Sequence, residues 1–216
     1  LVGSEMCIRD RDNDVANGGD KAHNILDDRF YKALRKRIRD GHYRAIFAAP
    51  PCSTFSVARH FRSRTRRRGP PLVRSRQHPL GLPDVHPRHR KELRTANDIV
   101  DRLCSMLSEA HELGVDFAVE NPSARHDIHQ KDLFIHADHG SLWMYPPFKT
   151  LIKQCDLSTC TFAQCEFGAN VQKYTTLAFT PGLQPSLGPL DRFKCTHEYH
   201  NDRAGGYRKD DGTWVS

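Results

Sequence analysis

Residues 44–56, RAIFAAPPCSTFS, and 115–122, VDFAVENP, decide how this chain folds. Each holds a short apolar run that ends at proline, the pattern of a buried strand opening into a loop. Between them lies KELRTANDIVDRLCSMLSEAHELG (91–114), which sets Leu93, Ala96, Val100, Leu103, Leu107 and Ala110 on one helical stripe. Gly114 is placed as its C-terminal cap. Strand, loop, helix and second strand make a βαβ unit, so an α/β domain with mostly parallel strands and flanking helices is expected. Ligands of such sheets sit beyond the carboxyl ends of the strands, where both PPCSTFS and ENP fall. Working outward, HNILDDRFYKALRKRIRDGHY (23–43) repeats Phe30, Leu34 and Ile38 every four residues and closes at Gly41, the pattern of a helix. LIKQCDL (151–157) and YTTLAFTP (174–181) read as two further strands.

A chain of 216 residues with 38% hydrophobic content supports one domain around one core, not two. Eleven Phe, six Tyr and two Trp argue against wholesale disorder. No run of about 18 apolar residues occurs, so no membrane-spanning helix is expected. Seven cysteines without a dense disulfide pattern or a preceding secretory signal predict a reducing, intracellular setting, nuclear in a eukaryotic host. LVGSEMCIRDRD (1–12) resembles translated sequencing-adaptor read-through and is expected to be a non-native leader, leaving 13–216 as the domain. The last residues, DDGTWVS, carry no terminal signature, and a fragment is expected at both ends.

The net charge of +7 is local. Twelve Lys or Arg lie between Arg59 and Arg94, opposed only by Asp84 and Glu92, so the remainder of the chain is net negative. The segment 59–94 is also rich in Pro and His, without apolar period over 60–90, and reads as a long cationic loop. Arg59, Arg62, Arg64, Arg66, Arg67, Arg68 and Arg74 become candidate phosphate contacts for a nucleic acid, with a solvated loop as the plainer alternative.

A cysteine just past a buried strand, with a carboxylate ending the neighbouring strand, can form a nucleophile and its acid partner; here these are Cys52 and Glu120. Spacing alone also allows an inert buried thiol and a capping carboxylate. The residues themselves go further. AAPPCSTFSVAR (48–59) resembles the Pro-Cys motif of the C5-cytosine methyltransferases, and AVENP (118–122) resembles their Glu-Asn motif, in the same order and with a helix between. QCEFGANVQKYTTLAFT (164–180), RRRGPPLVRS (66–75), HPLGLP (78–83) and the helix carrying Asn97 resemble a divergent, phage- and retroelement-associated branch of that family. The likeness spans about residues 25–210.

That resemblance implies a class I, Rossmann-like methyltransferase sheet and methyl transfer from S-adenosylmethionine to C5 of cytosine in DNA. Cys52 would add to C6 of the ring. Glu120 would bind N3 and the exocyclic amine, and so reject thymine and uracil. Asn121 and Pro122 would shape the turn that aims Glu120, while Pro50 and Pro51 fix the strand exit beside the cofactor. A thiolate is required, and Arg59 is the cation expected to favour it. The target base must leave the duplex stack to reach the thiol. Asp27 or Asp28 is the candidate acid for the adenine edge of the cofactor, and Lys173, alternating with Thr175, is a candidate to back the active site or the nucleic acid.

Departures from the family are as specific. No Asp-x-Phe-x-Gly-x-Gly turn follows a strand, since Gly18-Gly19 has none before it. The chain therefore reads as N-terminally truncated, starting near the family's third strand, with an incomplete cofactor site. The family's Gln-x-Arg-x-Arg segment is replaced by QCEFG, and no sizeable target-recognition domain remains. An RNA cytosine methyltransferase and a degenerate, non-catalytic nucleic-acid-binding module are the alternative readings. A thiol protease is disfavoured by the lack of a sequence-plausible His base.

Cys155, Cys160 and Cys165 recur every five residues, and CTHEYH (195–200) adds Cys195, His197 and His200. Four of these can compose a zinc site, although no CxxC knuckle is present and buried thiols with surface histidines are the plainer reading. Trp143, Tyr145 and Phe148 either stack a base or pack a loop onto the sheet.

Overall fold

The computed structural model describes residues 24–60 and 70–200, and the backbone of two short strands, Tyr207–Arg208 and Trp214–Val215, which pair antiparallel. Arg62, Arg64, Arg66, Arg67 and Arg68 lie outside the described residues.

Helix α1 (Asp28–Arg39) starts where the Asp27 carboxylate accepts the Arg29 and Phe30 amides, and the chain turns away at Gly41, whose φ of +74° suits glycine. Strand β1 (Ala45–Ala48) leads into the Pro-Pro-Cys loop. Helix α2 (Pro87–Glu112) begins with proline in its first turn and buries the whole expected stripe from Leu93 to Ala110. Its start at Pro87 shortens the irregular 59–94 segment, so Arg88, Arg90, Lys91 and Arg94 are helical. Strand β2 (Asp116–Pro122) follows. It continues through Glu120 and Asn121 to Pro122 instead of breaking before the proline. β1 pairs with it only as far as Val119, so the last three residues have a strand neighbour on one side alone, where proline is tolerated.

LIKQCDL is not a strand. Leu151 and Ile152 belong to helix α3 (Pro146–Gln154), which the Pro146-Pro147 pair initiates and which buries Phe148 and Leu151 three residues apart. The strand begins later, as β3 (Ser158–Ala163), and β4 (Tyr174–Phe179) follows the short turn Gln164–Phe167. The sheet order is β1-β2-β4-β3. β1 and β2 run parallel, but β4 inserts antiparallel to both β2 and β3. The sheet is therefore mixed, not mostly parallel. The α/β architecture with flanking helices stands.

Alternation along β2 divides the core. Phe117 and Val119 join Ile46, Val100, Leu107, Phe148 and Leu151 under α1, α2 and α3. Ala118 turns to the other face, with Cys160, Leu177 and Phe179, covered by Leu183, Leu187 and Leu190. Truncating a residue as enclosed as Leu107, which has no exposed surface, removes about 2–5 kcal/mol of stability. Tyr145 and Phe148 are buried too, so these aromatics pack the chain onto the sheet. Among the described residues no helix is long and apolar enough to cross a membrane.

Candidate active site

The carboxyl ends of β1 and β2 lie side by side, and one side chain joins them. Asn121, with no exposed surface, donates its Nδ2 hydrogen to the Pro50 carbonyl at 3.0 Å. The amide of Phe55 returns to the Cys52 carbonyl at 2.9 Å, closing a tight turn around the cysteine. Three further ties fix this loop. Arg59 donates to the carbonyls of Ser53 (2.6 Å) and Pro71 (2.7 Å) and pairs with Glu92 of α2. Arg74 donates to Thr54 Oγ1 (3.2 Å), Pro79 O (2.6 Å) and Asn97 Oδ1 (2.6 Å), and its guanidinium lies 4.0 Å from the centre of the Phe55 ring. His139 Nε2 bonds the Phe55 carbonyl at 2.8 Å. Cys52 is therefore presented by a loop braced from α2, from β2 and from the segment after β2.

Arg59 and Arg74 are thus internal ties, not phosphate contacts. The Arg59 side chain is 4% exposed and Arg74 is 1% exposed. Burial lowers the pKa of Arg74 to about 10. A guanidinium with all its partners inside the fold cannot release counterions from a polyanion.

Glu120 is followed by Pro122, whose carbonyl accepts Trp143 Nε1–H at 2.8 Å, and by Ser123, whose amide bonds the Tyr174 carbonyl at 3.0 Å. The end of β2 is held from both flanks. Lys173 immediately precedes β4 and brings Nζ to 3.9 Å from Glu120 Oε1, close enough for attraction but too long for a hydrogen bond. Cys52 lies within electrostatic reach of both. Burial raises its thiol pKa, the Lys173 ammonium opposes that shift, and the Glu120 carboxylate adds to it. Arg59 is not the cation that acts on this thiol; Lys173 is. At rest Cys52 is a protonated thiol in a half-buried position.

The end of β2 also carries unmet hydrogen-bonding capacity. Glu120 Oε1, Asn121 Oδ1 and Ser123 Oγ are buried without a hydrogen-bond partner. Leaving such atoms unpaired costs about 1–3 kcal/mol each, so a row of them at a strand end suits a polar ligand. Cys52, Glu120 and Lys173 form one constellation with these acceptors.

The expected cofactor residues fare differently. Asp27 Oδ1 caps α1, and Asp28 pairs with Arg102 of α2 at 2.6 Å. Both acids hold α1 in place. The Pro50 carbonyl is occupied by Asn121, and Pro51 borders an open depression of about 430 Å³ with Ser53, Arg88, Lys91, Glu92 and Thr95. The one carboxylate in that depression, Glu92, is already held by Arg59 and Ser53. Of the candidate zinc ligands, Cys155 is enclosed in the main core and Cys160 beneath the opposite sheet face. Cys165, Cys195, His197 and His200 do come together.

Trp143 and His139 were not legible as site supports. A tryptophan just before MYPPF (144–148) and one histidine among thirteen give no local sign that their ring nitrogens tie β2 and the Cys52 loop.

No family model matches the chain, and no curated protein sequence is significantly similar to it. Among solved structures, a triple mutant of Spodoptera frugiperda DNMT2 is similar at 14% identity with a TM-score of 0.32. The similarity covers 78% of this chain and 36% of that one, so this chain spans about a third of that neighbour's length.

Proposed function

We propose that this chain carries the pyrimidine-binding half of a DNA cytosine-5 methyltransferase-like site. The observation that carries the reading is the meeting of Cys52 and Glu120 at adjoining strand ends, with Lys173 beside the carboxylate and Glu120 Oε1 buried and unpartnered. Sulfur of Cys52 bonds to C6 of an extruded cytosine. The C5–C6 π pair moves onto C5, which becomes an enamine carbon able to accept an electrophilic methyl group. The thiol gives up its proton and ring N3 gains one, and Glu120 is the relay the geometry offers between them. Glu120 also accepts from the exocyclic amine, which a thymine or uracil carbonyl cannot supply. Lys173 favours the thiolate as it forms. The C5 proton then leaves to solvent, its C–H pair re-forms the C5–C6 double bond, the S–C6 pair returns to sulfur, and N3 gives its proton back through Glu120 to the thiolate, which restores the aromatic ring. The Pro-Cys and Glu-Asn-Pro motifs imply S-adenosylmethionine as methyl donor; the described residues supply the pyrimidine side of that reaction.

Reversible addition at C6 makes the C5 hydrogen exchangeable without any methyl donor. The test is deuterium uptake at cytosine C5 in an oligonucleotide incubated with the chain in D2O. Uptake in DNA that disappears in Cys52→Ser supports the reading. Uptake confined to RNA moves the substrate, and no uptake in either overturns the nucleophile assignment.

A further inference from the structure

Cys165 sits on the turn Gln164–Phe167, and Cys195, His197 and His200 sit on the segment after the last helical turn, about thirty residues later. The fold brings them to one point. One ligand atom from each lies within 4.8 Å of every other. Cys195 Sγ is 3.5 Å from His200 Nε2 and 3.8 Å from His197 Nδ1. In a tetrahedral zinc site, bonds of about 2.3 Å to sulfur and about 2.0–2.1 Å to nitrogen put neighbouring ligand atoms roughly 3.4–3.8 Å apart. The edges from Cys195 to His200 and to His197 already have that length. We propose that Cys165, Cys195, His197 and His200 bind a structural zinc ion, with four protein ligands closing the tetrahedron.

The surroundings fit a metal better than four independent side chains. Glu166 Oε1 lies 3.4 Å from Nδ1 of His197 and accepts from the amide (3.0 Å) and hydroxyl (3.1 Å) of Thr196. Nδ1 of His197 is also the nitrogen that faces Cys195 Sγ, so Glu166 braces the backbone of the 195–200 segment at Thr196 and does not hold the second nitrogen of a ligating ring. Cys165 is buried, Cys195 and His200 are half-buried and His197 is exposed, so the ion has a route in and an enclosed seat.

The site has a structural consequence. The Cys195 amide donates to the Tyr174 hydroxyl at 3.0 Å, the Ala163 amide to the Phe193 carbonyl at 2.8 Å, and the Gln164 amide to the Lys173 carbonyl at 2.9 Å. A metal here clamps the segment 193–200 to the β3–β4 turn and fixes the backbone that aims Lys173 at Glu120. Four protein ligands leave no open position for a reacting water, so the role is structural, not hydrolytic.

The test uses the full chain. Metal content is measured after purification without chelator, and the zinc-stripped chain is titrated with Co2+ under reducing conditions. About one zinc per chain and a tetrahedral cobalt spectrum with thiolate charge-transfer bands are expected. Cys195→Ser should lose both; Cys104→Ala, in the core, should lose neither. His200→Cys guards against simple misfolding, because it should still bind cobalt with a third thiolate contribution. Failure of the stripped, folded chain to take up zinc or cobalt overturns the proposal. So does a Cys165–Cys195 disulfide as the stable form under the same reducing conditions.

Discussion

His139 gives the brace beneath Cys52 a pH dependence whose size can be worked out. The ring is 1% exposed and both nitrogens are engaged. Nδ1 accepts the Arg125 amide at 3.1 Å, and Nε2 therefore carries the hydrogen that goes to the Phe55 carbonyl at 2.8 Å. Protonation must occur on Nδ1, where an amide hydrogen already points. Burial pulls the pKa down from 6.5 to about 4; the Phe55 carbonyl opposes this, and His60, His126 and Arg125 reinforce it. The unfolded chain binds the proton near pH 6.5 and the folded chain only near pH 4, so protons favour unfolding between these values. Stability from this group is complete above pH 6.5 and is lost as pH falls toward 4. At 1.36 kcal/mol per pKa unit, the loss between pH 7 and 4.5 is about 2–3 kcal/mol. Urea unfolding of the wild type and His139→Gln at a series of pH values measures it, because the difference between the two removes the contributions of His60 and His126. The wild-type advantage should shrink by that amount on acidification. Parallel stability curves for the two proteins would refute the reasoning. If His139→Gln does not fold, an NMR titration of the His139 ring in the wild type decides the matter: it should stay neutral well below pH 6.

Three further outcomes follow from the site. Cys52 should alkylate slowly at neutral pH with a rate that climbs past the ordinary thiol range; Lys173→Met should shift the profile further up and Glu120→Gln down, as iodoacetamide kinetics will show. Arg74→Met should lower unfolding stability by about 3 kcal/mol, because Thr54, Pro79 and Asn97 lose a buried donor, while leaving the salt dependence of DNA binding unchanged. Asn121→Ala removes its own unpartnered Oδ1 along with the bond to Pro50, so its stability loss should be small, about 1 kcal/mol, while C5 exchange falls by at least tenfold.

How far the sequence could be read follows from what each signal measures. The stripe from Leu93 to Ala110 is a local periodicity, and α2 buries all of it. The runs before Pro50 and Pro122 are local as well, and they give two adjacent parallel strands. Strand direction is not local. YTTLAF is buried at every position, so it has no alternation to show, and nothing within it says that it runs antiparallel between β2 and β3. LIKQCDL misled because four apolar residues in a short window suit either a strand or a helix's final turn, and the deciding Pro146-Pro147 lies upstream. Charge misled differently. Arg59 and Arg74 sit within the most cationic segment, yet their partners Glu92, Asn97 and Thr54 are distant in sequence or uncharged. Spacing marks a pool of cysteines and histidines, but only the fold separates Cys155 and Cys160 from the four side chains that meet. Lys173 was legible as a candidate, and its approach to Glu120 needed the β2–β4 register.

The central claim is that Cys52 is a nucleophile toward a pyrimidine held by Glu120. It is tested most directly by incubating the full chain with an oligonucleotide carrying 2-pyrimidinone in place of one cytosine, a ring that traps thiols at C6 without a methyl donor, and sequencing the adduct by mass spectrometry. The expected result is a covalent DNA adduct on Cys52, absent in Cys52→Ser and formed about a hundredfold more slowly in Glu120→Gln. A folded chain that forms no adduct, or forms it on another cysteine, contradicts the claim.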